Sequence, residues 1–280
     1  MSSTVPVGHL TGPRPKGAPA ASRPGRPRSV TLAGLRRFNG VMALLHLVQA
    51  GAILALSSAF ALPVTASFLQ ADPAGGLTSD PRVLFDVRIG PLVAAFLVLS
   101  AIAHAVVATV GARRYEADLE RGINRARWIE YALSSSLMIV VIAMLVGMYD
   151  VAALLLIFAA NASMILFGWV MEVHNQTTRW TDWLSYWFGV FAGAIPWVAI
   201  GIYLFGPTAV GNDGPPGFVY GIFGSIFVFF NVFALNMVLQ YRRVGRWRDY
   251  LYGERVYVLL SLTAKSALAW QVFAGTLRPN

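Results

Sequence analysis

Long apolar runs alternate with short polar connections along almost the whole chain. Seven of the runs are long enough to cross a bilayer, which takes ~20 residues each. They cover 36–62, 88–112, 122–147, 149–174, 183–206, 216–241 and 252–276. The connections are short except 63–87, which carries Asp72, Pro73, Gly75, Gly76, Asp80 and Pro81. Its Val83-Leu84-Phe85 segment has the composition of a small strand, part of a β-hairpin lying on the membrane surface. Residues 1–30 show no periodicity and are rich in Pro, Gly, Ala, Ser and Arg, the signature of a disordered basic tail. Arg36-Arg37-Phe38 has the look of a twin-arginine export signal. The span after it is long and carries His46 and Gln49, so an uncleaved first helix is expected. The fold class is thus an all-α membrane protein, with a tail over 1–30 and a seven-helix domain over 31–280.

Composition agrees. The 280 residues are 56% hydrophobic and 12% charged, where a soluble domain has about 25% charge. The absence of cysteine excludes disulfides, thiolate metal sites and cysteine catalysis. The net charge of +9 does not mark a nucleic-acid binder, because the basic residues sit in the tail and the loops. Seven Lys/Arg precede the first span up to Arg37, five lie in the second–third connection, Arg179 in the fourth–fifth and five in the sixth–seventh. The opposite side holds only Arg82, Arg88 and Arg278. By the positive-inside rule the N-terminus is cytoplasmic and the C-terminus extracellular, in a cell membrane.

Few ionisable residues are expected inside the spans: His46, His104, Glu130, Glu172 and Lys265. Lys265 carries the most information. It is the tenth residue of the otherwise uncharged stretch Val256–Leu277, and each end is roughly 15 Å away at 1.5 Å per residue. Snorkelling is therefore a poor escape. A lysine so placed is either paired or has had its charge altered by reaction. Glu130 reads as an interfacial carboxylate or as the counterion of Lys265; a buried cation favours the second. Glu172, near the cytoplasmic end of the fourth span, is equally suited to an interfacial role. Ser261, one turn before Lys265, and Ser134 and Ser135, one turn after Glu130, read as hydrogen-bonding or as packing residues. His46 and His104 lie at similar depth, with Gln49 one turn beyond His46. They are either core histidines or a hydrated cluster that exchanges protons. Asn161, Met164 and Gly168 share a face of the fourth span. Pro196-Trp197 and Phe227, Phe229, Phe230 and Asn231 add aromatic walls. Helix packing explains each alone, and together they suit a pocket for a long apolar ligand. No polar path crosses the whole bilayer, which weighs against a pump.

Seven spans with a lysine in the last and a carboxylate in the third resemble the retinal-binding rhodopsins. The run from Ser261 through Lys265 and Trp270 to Thr276 is similar to the seventh helix of heliorhodopsins. The Arg127-Trp-Ile-Glu130-Tyr131 motif, His46, His104, Asn161, the Phe230-Asn231 region and the inverted orientation match the same family. The resemblance implies a rhodopsin-like bundle and a light-sensing photoreceptor, not an enzyme. It also implies all-trans retinal bound to Lys265 as a protonated Schiff base, with Glu130 as counterion. After photoisomerisation the proton is expected to leave for the His46/His104/Gln49 cluster without net transport. A homodimer in membrane lipid and an unknown cytoplasmic signalling partner belong to the same expectation. Two departures from the proton pumps support it: Ser261 stands where they have a carboxylate four residues before the lysine, and Val141 where they commonly have a donor. A light-driven proton transporter or channel is the competing class.

Overall fold

In a computed structural model of the protein, residues 30–73 and 75–278 are described. The expected tail lies outside them except for Val30. The first span, α1 (Leu32–Leu56), starts where the Thr31 hydroxyl accepts the Gly34 N–H at 3.0 Å, an N-cap that satisfies one otherwise unpaired amide. It ends six residues earlier than the apolar run suggests. The backbone N–H of Ser57 bonds the Ile53 carbonyl, as does its hydroxyl, and the chain turns out of the helix.

Beyond Ser57 the chain forms a pair of hairpins. Strands β1 (Ala61–Ser67), β2 (Gln70–Ala71), β3 (Leu77–Thr78) and β4 (Pro81–Arg88) pair antiparallel, β1 with β4 and β2 with β3. Ala61 lies opposite Arg88 and Ser67 opposite Pro81, with a register shift between Val64 and Thr65. The inner hairpin turns through Gly75 and Gly76, whose φ angles of 90° and 128° suit glycine. Val83-Leu84-Phe85 falls within β4, as its composition predicts. The Thr65 N–H donates to the Tyr149 carbonyl at 2.9 Å, docking the sheet on the connection between the third and fourth spans.

The remaining helices are α2 (Ile89–Ala108), α3 (Ala112–Glu120), α4 (Arg125–Leu145), α5 (Val151–His174), α6 (Leu184–Ala209), α7 (Gly217–Tyr241) and α8 (Tyr250–Val272). A π-helical turn, Phe273–Leu277, extends α8. Among the described residues, seven of the eight α-helices are long and apolar enough to span. The exception, α3, falls where hydropathy predicts only a polar connection. Its Tyr115 and Leu119, one turn apart, are buried against Leu35, Tyr250 and Leu251, while its Asp118 receives both Arg125 Nε and Nη2, at 2.9 and 2.5 Å. Short polar-rich sequence hid a helix that only its tertiary partners stabilise.

The bundle has two unlike ends. At the hairpin end the interior is mostly apolar, with Phe96, Leu97, Ile139, Ile142, Leu268 and Val272 all buried, and a Ser225–Gln271 hydrogen bond at 3.1 Å among its polar contacts. At the other end, which carries α3 and the arginine-rich loops, the apolar clusters surround buried charges, Arg127, Glu172 and Glu254. Lipid is as apolar as leucine, so close packing rather than the hydrophobic effect holds such helices together. Gly168 and Gly193 serve that contact: a Cβ on Gly168 would strike the Trp128 ring, and one on Gly193 the Met164 sulfur. Asp150 caps α5, its Oδ1 accepting the Ala153 N–H at 3.0 Å. Asp150→Ala is expected to cost about 1 kcal/mol and lower the thermal midpoint, whereas Asp150→Asn should leave it nearly unchanged.

Candidate functional site

Lys265 and Glu130 meet at the boundary between the two halves. Both are buried, with side-chain exposures of 4% and 6%, and Lys265 Nζ donates to Glu130 Oε1 at 2.8 Å. Helix α8 directs the lysine inward and also supplies Ser261 one turn earlier, whose Oγ lies 2.7 Å from Nζ. On α2, Ser100 Oγ lies 2.6 Å from the same carboxylate oxygen and 3.0 Å from the Phe96 carbonyl of its own helix. The Tyr131 ring lies under the ammonium, 5.1 Å from centroid to Nζ, and its hydroxyl donates to the Tyr257 carbonyl. Each charge thus has an opposite charge and a neutral hydrogen-bonding partner, the conditions under which a buried pair is tolerated.

His46 and His104 lie beside this pair with rings nearly parallel, centroids 5.6 Å apart and an interplanar angle of 6°. His104 Nδ1 is 2.7 Å from Asn39 Oδ1. His104 Nε2 and both ring nitrogens of His46 have no hydrogen-bond partner among the described residues. Gln49 does not join them. Its side chain accepts from Trp270 Nε1 at 3.1 Å and donates to the Leu45 carbonyl. The one-turn spacing from His46 is not enough, because position 49 rotates towards the partly exposed face shared with α8.

One cavity adjoins the lysine and a second shares walls with it. One, of about 50 Å³, is lined by Lys265, Ser261, Ala264, Met138 and Ser135. The second, of about 110 Å³, reaches Trp128, Gly168, Tyr186 and Met237. They share Tyr131, Met164, Ile165, Phe230 and Phe233 as walls, so the two follow one elongated apolar region with Lys265 at its end. A third cavity, of about 30 Å³, is bounded by Glu130, His104, Asn39, Tyr115, Asn124 and Arg127.

Other expected site residues occupy supporting positions. Trp197 is not on the cavity wall; it packs edge-on against Phe230 at 5.5 Å and Phe227 at 5.2 Å. Asn161 donates to Ser135 and Ser136 at 2.9 and 3.0 Å, joining α5 to α4. Ser134 is buried with no hydrogen-bond partner among the described residues. The space freed by Gly168 is occupied by the Trp128 ring.

The largest addition concerns Glu172, whose side chain faces the bundle interior. It is buried, together with Arg127 and Glu254. Arg127 Nη2 donates to Glu172 Oε1 at 2.5 Å, and Nη1 donates to Glu254 Oε1. Glu172 also accepts from Trp128 Nε1 at 2.6 Å, the Asn124 N–H at 2.9 Å and the Tyr250 hydroxyl at 3.2 Å. Asn124 Nδ2 bonds Glu254 at 2.6 Å. The Arg127 guanidinium lies over the Tyr257 ring at 3.9 Å. Hydropathy and loop charge do not single out four residues of the site: Arg127, counted with the loops, and Glu254, Ser100 and Asn39. Helical spacing carried the signal for three of them. Arg127 is three residues before Glu130, Ser100 four before His104 and Asn39 seven before His46, each on its partner's face.

A seven-helix bundle with a paired lysine in its last helix and an apolar cavity at that lysine defines a rhodopsin-type membrane protein. The heliorhodopsin family model matches residues 35–277, and the chain belongs to the heliorhodopsin family. Among solved structures, the chain is similar to a light-driven proton pump from Leptosphaeria maculans, with 14% identity and a TM-score of 0.57 over 88% of this chain and 95% of that one. At that identity the likeness speaks for the fold. No curated protein sequence matches the chain.

The family implies a retinal chromophore, and the residues present fit one. Lys265 offers a primary amine at the end of an elongated space walled by aromatic and methionine side chains, with a carboxylate within 2.8 Å. Such sites are typically apolar, with a few placed polar groups. The arginine cluster can be tested separately. Arg127→Met leaves two carboxylates buried without their cation and is expected to cost 3–5 kcal/mol, on the order found for broken buried pairs, seen as a large drop in thermal midpoint. Adding Glu172→Gln and Glu254→Gln should recover much of it.

Proposed function

We propose that the chain is a light-sensing retinal photoreceptor in which all-trans retinal is held on Lys265 as a protonated Schiff base and Glu130 is its counterion. The observation that carries this reading is the 2.8 Å contact from Lys265 Nζ to Glu130 Oε1 at the end of an apolar cavity. The chromophore supplies light absorption and isomerisation. The chain's own residues do the rest. Glu130 favours the positive charge at Nζ, since a close opposite charge stabilises the protonated form of a base. Ser261 and Ser100 hold the two partners in line. Displacement of Nζ from Glu130 weakens that stabilisation and frees the proton for the unpartnered histidine nitrogens.

Retention of the proton without net transport is supported by the two ends of the bundle. Towards the hairpin end the interior beyond Lys265 is mostly apolar and holds no buried ionisable side chain among the described residues, and Val141 there is buried and cannot donate. Towards the other end, the third cavity meets Arg127, fastened by Glu172 and Glu254. Loop charge favours a cytoplasmic N-terminus, which puts this cluster on the cytoplasmic side, beside the basic loops where a signalling partner would dock. Assembly as a homodimer in the cell membrane is part of the same reading.

Purified protein mixed with all-trans retinal is expected to absorb visible light, and Lys265→Ala to lose that band; a retained band in Lys265→Ala contradicts the assignment. Glu130→Gln should shift the absorption maximum and lower the Schiff-base pKa, because the carboxylate that stabilises the cation is gone. Pumping, the competing reading suggested by the fold likeness, predicts a protonophore-sensitive pH change in illuminated vesicles; the photoreceptor reading predicts none.

A further inference from the structure

The two histidines beside the Lys265–Glu130 pair are not equivalent, and the difference lies in Asn39. This residue is buried in α1, 1% exposed. Its amide nitrogen lies 2.9 Å from the Leu35 carbonyl and 3.4 Å from the Tyr115 hydroxyl. A carbonyl oxygen only accepts, so the NH2 group must face Leu35, and Oδ1 is thereby turned to His104 Nδ1 at 2.7 Å. Oδ1 also only accepts, so the neutral His104 ring carries its hydrogen on Nδ1. Its Nε2 is then a bare lone pair, buried and without a partner among the described residues. His46 has no partner on either nitrogen among those residues, so no hydrogen bond there fixes its tautomer. His104 and Glu130 line one cavity; His46 is not among its walls.

We infer that Asn39 is a positioning residue that locks His104 in the Nδ1–H tautomer, leaving Nε2 of His104 as the base that receives the proton released from Lys265 Nζ. This rests on the photoreceptor reading. In the step, the N–H bond at Lys265 Nζ breaks and one forms at His104 Nε2. The positive charge moves with the proton, Glu130 stays negative, and the new imidazolium keeps both the Glu130 charge nearby and the Asn39 bond at Nδ1. No other co-reactant is needed. In the opposite tautomer Nε2 would already bear hydrogen and could not accept, a loss of function that leaves the fold intact.

The test is made on the full chain with bound retinal, labelled with ¹⁵N-imidazole histidine. The four histidines allow assignment by the signals missing from His104→Gln. In darkness His104 is expected to show a protonated Nδ1 and a bare Nε2. Asn39→Leu should shift the pair towards the other tautomer and slow light-induced deprotonation at Lys265 on the order of 10²-fold, within the range for a positioned base. Asn39→Asp, which keeps an acceptor at Nδ1, should restore both the signature and the rate. A bare Nδ1 in the wild-type chain, or an unaltered tautomer in a folded Asn39→Leu, overturns the positioning role. An undiminished deprotonation rate in His104→Gln overturns the acceptor assignment on which it rests, and with it the proposal.

Discussion

A cation and a carboxylate taken out of water together, Lys265 and Glu130, constrain everything around them. Neither charge could remain buried alone, since the desolvation cost per ion is several kcal/mol even after relaxation. Their mutual contact therefore fixes the rotation of α8 against α4, and Ser261 and Ser100 fix the remaining freedom of the two side chains. The same pair divides the bundle. On one side the helices meet through close apolar packing. On the other they meet through hydrogen bonds and charge, ending in Arg127 between Glu172 and Glu254.

That asymmetry shapes the chemistry available. In the proposed photoreceptor a proton leaving Lys265 would find its acceptors on one side, in the imidazoles of His46 and His104 and the cavity bounded by Asn39, Tyr115 and Arg127. A transporter needs polar groups on both sides in turn. A chain that stores its proton internally needs them on one, together with a closed far end. The Arg127 cluster closes that far end with strong charge-assisted bonds tying α4, α5 and α8 together. Since Arg127 and Glu130 share a face of α4, a change of charge at the lysine is felt one turn away by the group that holds the three helices. This is the route by which proton movement in the proposed photoreceptor would alter the arginine-rich face.

Much of this was legible in the sequence because membranes simplify the code. Seven spans, the special position of Lys265 and the candidacy of Glu130 follow from the cost of charge in an apolar run. The strand around Val83 follows from β-branched and aromatic composition beside turn residues. What failed depended on partners distant in sequence. Helix α3 is stabilised by contacts of Tyr115 and Leu119 with α1 and α8, which no local pattern contains. Helix α1 ends at Leu56, although the apolar run continues, where Ser57 turns extended and the Ser58 N–H bonds the Leu277 carbonyl at 2.8 Å. Glu254 and Arg127 sit at span ends, where hydropathy assigns charges to water, and only the folded bundle reveals that they neutralise one another. Gln49 had the right spacing but the wrong rotation, and it bonds Trp270 instead.

The central claim is covalent attachment at one lysine, and the chain makes that claim simple to test. It contains two lysines, Lys16 and Lys265. Protein reconstituted with all-trans retinal can be reduced with borohydride under illumination, digested with trypsin and mapped by mass spectrometry. The account predicts a retinyl adduct on an uncut peptide that begins at Val256 and runs past Lys265 and Arg278, because a modified Lys265 resists cleavage and Arg278 is protected by Pro279. An adduct confined to Lys16, or no adduct on a protein that has taken up retinal, would contradict it.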